Sequence, residues 1–274
     1  MKKQLIIAAS GLALVFLLFI FGKTSEPPKP SVSNLAENIH SFDIDTFIIN
    51  RKAGLSSLAI LKLDSLDKLP AGLAKSSALA AFWRDSAKVY EPFLFYEGEA
   101  AKLDNSEKNL NFAAQLFLEA LRAEPDRAKQ EWETAQAIDL FQRAINVNPQ
   151  NDDLRLGLGS CYIFGYSRSA DPQQTLKGIQ EILTVSRKDS NNMKAQLLLG
   201  VGGMVSGQYD KALIRFNRVV KQQPNNLEAI AYMADAYAAT GNKAEAIKWY
   251  NISKRLANNP HYSEEADKRI KSLQ

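Results

Sequence analysis

The chain is 274 residues long, carries +4 at neutral pH, and keeps only +2 once Lys2 and Lys3 are set aside. So small a surplus, with acids and bases interspersed, excludes the clustered basic face of a nucleic-acid binder. Its 46% apolar and 23% charged residues are ordinary for a globular chain with room for one elongated domain or two small ones, and the single Cys161 excludes an intramolecular disulfide.

From Gln4 to Gly22 no residue is charged, and Leu, Ile, Phe, Ala and Val dominate. As a helix this run measures about 28 Å, enough to span a bilayer core. Lys2, Lys3 and the amino terminus precede it, which favours an N-terminus inside and the remainder outside the cytoplasm. The run ends Ile20-Phe21-Gly22-Lys23, a poor cleavage site, and no cysteine follows to accept a lipid. An uncleaved signal anchor over 1–23 is therefore expected, with a cleaved signal peptide as the alternative. Ala9 and Ala13 form a small-xxx-small pair, a weak signal for anchor pairing that ordinary composition also explains. Residues 24–34 hold Pro27, Pro28, Pro30 and three serines without an apolar face, and read as an extended spacer.

A helical region is expected over 35–106. Its first helix starts near Leu35, with Ile44, Phe47 and Ile48 on one face, and its second runs from about Ser56 to Leu69. Residues 71–105 read as a degenerate helical pair. An amphipathic helix follows over 107–122 and another over 129–147. From there the chain repeats itself: Leu199, Gly200, Gly207, Ala212 and Phe216 recur as Met233, Ala234, Gly241, Ala246 and Tyr250. That step of 34 is the period of a helix–turn–helix solenoid, whose units bury a face only by stacking on their neighbours. Two full units span 193–226 and 227–260, and an interrupted one spans 152–192. The last segment, 261–274, has alternating charges and reads as a polar capping helix.

These residues resemble the tetratricopeptide-repeat pattern, in the form of a bacterial membrane-anchored protein. In that family a small residue on the first helix lets the second pack close, as Gly159, Gly200 and Ala234 would. A small residue and then a large apolar one follow on the second helix, as in Ala137/Phe141, Gly178/Ile182, Ala212/Phe216 and Ala246/Tyr250. Units often end in proline, as at Pro149 and Pro224. The steps from Ala137 to Gly178, Ala212 and Ala246 are 41, 34 and 34. The longer step places an insertion at Tyr166–Pro172, a candidate contact loop or a plain surface turn. The resemblance implies an all-α solenoid over 107–260, behind a transmembrane helix and linker, acting as a protein-binding scaffold with no cofactor.

It also implies a groove lined by the first helices. The positions carried over are Asp153, Leu156, Ser160, Ile163 and Phe164 in one unit. They are Lys194, Leu197, Val201, Met204 and Val205 in the next, and Glu228, Ala231, Asp235, Ala238 and Ala239 in the last. One subset of the family grips a partner's C-terminal carboxylate with Lys, Asn and Arg. Leu197 and Val201 stand where Lys and Asn would be needed, so that mode is disfavoured. A partner helix or extended segment with apolar side chains and a basic residue would suit the groove. The alternative is that Leu197, Val201 and Met204 pack on the N-terminal helices or on a second copy in a homo-oligomer.

No catalytic or metal-ligating constellation emerges. His40 and His261 are far apart, and no HExxH, CxxC or paired ligand spacing exists. Gly157-Leu158-Gly159 lacks the preceding strand and third glycine of a dinucleotide loop. Glu97, Glu99, Asp104 and Glu107, interleaved with Lys102 and Lys108, read as a solvated helix face. Cys161 reads as a buried small residue, and Trp83, Trp132 and Trp249 as core. Two further functions stay open: an assembly chaperone laid out like the anchored repeat subunits of cytochrome c maturation, and an accessory subunit of a cell-envelope enzyme. The repeat domain is expected on the periplasmic side of an inner membrane.

Overall fold

The computed structural model describes residues 41–167 and 171–274, and among these every regular element is a helix. In chain order they are α1 (Ile44–Lys52), α2 (Ser57–Asp67), α3 (Leu73–Ala81), α4 (Tyr90–Asp104), α5 (Glu107–Ala123), α6 (Arg127–Val147) and α7 (Asp152–Gly165). There follow α8 (Pro172–Lys188), α9 (Met193–Val205), α10 (Tyr209–Gln222), α11 (Leu227–Ala239), α12 (Lys243–Ala257) and α13 (Pro260–Leu273). A π-helical turn, Phe82–Ala87, extends α3 and buries Phe82 and Trp83. The anchor expected over 1–23, the linker over 24–34 and the start of the next region up to His40 lie outside the described residues. Among the described residues no helix is long and apolar enough to cross a membrane.

Local chemistry sets where the helices begin and end. Asn192 and Asn226, one repeat apart, each cap a helix: their side chains accept from Ala195 N and Ala229 N, both at 2.9 Å. Such a cap satisfies one of the donors that a helix leaves unpaired. Within a pair the chain turns on Gly207 (φ 72°) and Gly241 (φ 78°), in left-handed conformations that glycine adopts without strain. Beyond each glycine, Gln208 N donates to Gly203 O at 2.7 Å and Asn242 N to Tyr237 O at 2.9 Å. These six-to-one bonds close the helix ends as Schellman motifs.

Neighbouring helices pack in sequence, and α5, α7, α9 and α11 also touch one another in a first-helix layer. Packing is closest where side chains are missing. A β-carbon on Gly178 would lie 2.6 Å from Gly159 O, and one on Gly159 would lie 2.9 Å from Gly178 O, so α7 and α8 meet backbone to backbone. A β-carbon on Gly200 would lie 2.3 Å from the Phe216 ring, and one on Gly157 2.4 Å from the Phe141 ring. Gly202 faces Ile179 of the preceding pair just as closely, at 2.8 Å. Ala137, Phe141, Ala212, Phe216, Ala234 and Ala246 are wholly buried, and Tyr250 nearly so. The core is thus a row of apolar clusters running from Leu63 to the last helix. Its C-terminal end is covered by α13, which places Ile270 and Leu273 on the Ala246–Tyr250 cluster and pairs Asp267 with Lys254.

Candidate functional site

The first-helix layer is where a groove is expected, and the structure fills its middle. Leu156 (1% exposed), Leu197 (8%) and Val201 (2%) belong to one core cluster with Ile163 and Ile182. Ser160 is buried and donates to Leu156 O at 2.8 Å. The residues that keep solvent access are at the margins: Phe164, Met204 and Ala231 are half-buried, and Lys194 is exposed and bound to Asp153 at 2.9 Å.

Two polar clusters close the layer. Arg122, at the end of α5, reaches past α7 and α9 to Glu228 at the start of α11, with Nη2 to Oε1 at 2.7 Å. Its guanidinium also lies 4.3 Å from the centre of the Phe164 ring. Near the C-terminal end, Asp235 accepts from Tyr250 Oη and from Arg269 Nη1, each at 2.6 Å. Burial, with Asp235 beside it, pushes the Tyr250 phenol up to about 12. Ala231 and Asp235 share a small cleft of about 120 Å³ with Tyr262, Ala266 and Arg269, so the last repeat's acid is already held by α13. The Arg122–Glu228 pair is two-fifths exposed on both sides. In a double-mutant cycle of Arg122→Ala and Glu228→Ala, urea unfolding is expected to give a coupling of at most about 1 kcal/mol. A larger coupling would make this contact a structural keystone rather than a surface latch.

An accessible cleft of about 470 Å³ lies between two turns. Tyr166 and Ser167 come from the α7–α8 turn, Pro172, Leu176 and Ile179 from α8, Val205 from the end of α9, and Ser206 and Gln208 from the α9–α10 turn. Its size and mixed lining are those of pockets that hold a small group or a side chain. Leu176 is 52% exposed there. The polar groups are fixed locally: Ser206 Oγ donates to Gly202 O at 2.8 Å, Gln208 Nε2 to Ser206 Oγ at 3.1 Å, and Ser167 Oγ to Phe164 O at 2.9 Å. A second cleft, of about 340 Å³, includes Arg122, Gln130 and Phe164 and shares Ser167 with the first. Of the insertion Tyr166–Pro172, residues 168–170 lie outside the described residues. Only its length hinted at a cleft beside it.

Groups that might have carried chemistry are scattered. Cys161 is wholly buried, and burial pushes its thiol well above the ordinary range. His261 is exposed at the start of α13, and His40 lies outside the described residues. Asp104 accepts from the Ser106 hydroxyl and from Asn109 at 2.8 Å, and Glu107 accepts from Asn148 (2.9 Å) and Asn151 (2.6 Å), tying α5 to the α6–α7 turn. Those hydrogen bonds hold both carboxyls below their usual range. Among the described residues no three His, Cys, Asp or Glu side chains gather as metal ligands.

Comparison with known proteins places these features. Residues 205–264 match the tetratricopeptide-repeat family. No curated protein matches the chain. Among solved structures, MamA protein is 14% identical, covering 68% of this chain and 92% of its own, with a TM-score of 0.46. YrrB, described as a TPR protein with an unusual peptide-binding site, is 17% identical over 76% of this chain and 97% of its own, with a TM-score of 0.43. The C-terminal part of a TPR repeat-containing protein from Cytophaga hutchinsonii is 15% identical over 84% of this chain and 94% of its own, with a TM-score of 0.45. Residues 205–264 are thus similar to tetratricopeptide repeats, and the described residues form an all-α helical solenoid.

Proposed function

We propose that this chain is a membrane-tethered, non-enzymatic scaffold that docks a segment of a protein partner outside the cytoplasm. Tetratricopeptide repeats are generally protein–protein interaction scaffolds. The observation that carries the docking part is the accessible cleft of about 470 Å³ between the α7–α8 and α9–α10 turns. It shares Ser167 with the second cleft, which Phe164 lines, while Leu197 and Val201 are occupied by the chain's own packing. An apolar side chain of the partner would enter beside Leu176 and Val205, and its backbone would meet Ser206 and Gln208. The tether is the apolar run Gln4–Gly22 behind Lys2 and Lys3. Confinement to a surface raises the effective concentration of the scaffold toward partners on the same membrane.

In-cell photocrosslinking tests the reading, with the reactive residue at Leu176 and a control at exposed Lys243. A distinct partner is expected from Leu176 alone, and Val205→Glu is expected to abolish its capture. The full chain is expected to stay with membranes through an alkaline wash, and deletion of 1–23 to release it. Identical capture from both positions would sink the docking part, and release of the full chain would sink the tether.

A further inference from the structure

A separate surface on α10 gathers positive charge that, among the described residues, no carboxylate pairs with. Lys211, Arg215 and Arg218 share one side of this helix and, with Ile214 and Gln196, line a shallow pocket of about 200 Å³. All three cations are held by neutral acceptors. Arg215 Nη1 donates to Gln196 Oε1 at 2.6 Å, Arg218 Nη2 to Asn191 Oδ1 at 2.9 Å, and Lys211 Nζ to Gln208 Oε1 at 2.7 Å. Gln196 is itself wholly buried and pinned, its Nε2 donating to Ser186 Oγ at 3.1 Å and Ser190 O at 2.9 Å. Arg215 is therefore aimed by a rigid support and still carries its whole charge.

Several cations elsewhere are ion-paired, whereas others, such as Lys62 and Lys177, meet neutral acceptors singly and not in a cluster of three. Lys188 is bound to Asp152, Lys194 to Asp153, Lys248 to Glu245 and Lys254 to Asp267. A guanidinium held only by neutral oxygens retains donors and potential for an anion. The anion must also suit Ile214, which is 70% exposed in the middle of the three cations. A free phosphate would gain nothing from that side chain. A lipid surface would need a broad basic face, whereas Lys248 and Lys254 on α12, the second helix of the next pair, are already neutralised.

We propose that α10 presents a docking site for an acidic peptide segment, with carboxylates taken by Arg215 and Arg218 near Lys211 and an aliphatic side chain laid on Ile214. This site is distinct from the cleft between the turns, so either can fail while the other stands.

The test uses the full chain in a neutral detergent and a fluorescein-labelled peptide of three Glu-Glu-Leu-Glu repeats, read by anisotropy. Arg215→Ala with Arg218→Ala is expected to weaken binding at least about tenfold, because the charge-assisted bonds are lost. Arg218→Ala alone, whose partners Ser190 and Asn191 are both exposed, is expected to weaken it about threefold and guards against misfolding of the double variant. Lys248→Ala with Lys254→Ala removes as much charge and is expected to leave affinity unchanged, as is Leu176→Glu in the cleft. A peptide with Gln for every Glu is expected not to bind. The proposal is overturned if the arginine variants bind like the parent or if the Gln peptide binds equally. It is also overturned if millimolar inorganic phosphate displaces the peptide, or if phosphatidylglycerol vesicles retain the chain through the same arginines.

Discussion

Phe216→Ala is expected to destabilise the solenoid by about 3–5 kcal/mol, and to abolish the cost of a second change, Gly200→Ala. The Phe216 ring is wholly buried, stacked on Tyr232 with centroids 5.6 Å apart, and lies directly over Gly200. Removing it leaves a cavity that neighbouring helices cannot fill without moving. In the parent chain, Gly200→Ala would push a methyl group to 2.3 Å from a ring that Tyr232 prevents from retreating. Overpacking of that kind costs about 1–3 kcal/mol, more than the roughly 1 kcal/mol that alanine gains over glycine in a helix. In the Phe216→Ala background the clash is gone and only the helix gain remains. The helix gain is common to both backgrounds and cancels, so urea unfolding of the four proteins should give a favourable coupling equal to the overpacking cost, about 1–3 kcal/mol. Additive effects would mean that Gly200 is small for some other reason.

That pair also shows why the repeat was legible. Gly200, Ala212 and Phe216 are contacts within one helix hairpin, so their steric logic is written in one short stretch and rewritten at Ala234, Ala246 and Tyr250. Helix existence was legible for the same reason: the stretches expected over 107–122 and 129–147 are α5 and α6, and the pair expected over 71–105 is α3, its π-helical turn and α4. What escaped the sequence depends on how hairpins are set against one another. The Arg122–Glu228 contact joins residues 106 apart, and no local pattern announces it. The burial of Leu197 and Val201 follows from how closely α9 approaches the preceding pair, with Gly202 against Ile163 of α7 and Ile179 of α8. Sequence reasoning offered the groove and self-packing as alternatives for these residues, and spacing alone could not choose between them. The cleft between the turns arises from the offset of two loops, of which only the longer was visible as an insertion. The capping asparagines Asn192 and Asn226 were overlooked although they recur at the repeat step, a signal that a search for N-caps would have found.

Stability is expected to fall as pH rises from about 5 to 8, and Glu133→Gln is expected to remove much of that slope. Glu133 sits on α6 at 2% exposure, and its Oε2 has no hydrogen-bond partner among the described residues. Burial pushes its carboxyl from 4.5 up to about 8; the Glu124 and Glu91 carboxylates add to the rise, and the Lys129 ammonium opposes it. Lys129 is a weak counterweight because it is bound to Glu91 at 2.6 Å. Unfolded, the group titrates at its ordinary value; folded, it holds its proton several units higher. Below about 4.5 both states are protonated and this group has no effect on stability. Between there and about 8 the unfolded chain ionises while the folded one does not, so the folded state binds more protons and stability declines with pH. The limiting slope is about 1.4 kcal/mol per unit. Solvent screening of the neighbouring charges lowers it, leaving a loss of about 2 kcal/mol between pH 5 and 7. The depressed carboxyls of Asp104 and Glu107 act in the opposite sense and at lower pH: their hydrogen bonds are lost as pH falls below the ordinary carboxylate range. The two effects therefore occupy different windows. Urea midpoints for the parent and Glu133→Gln at pH 5, 6, 7 and 8 separate the slope from any uniform change that the amide introduces. Parallel curves would show that Glu133 is ionised in the folded chain, and that water or another group reaches Oε2.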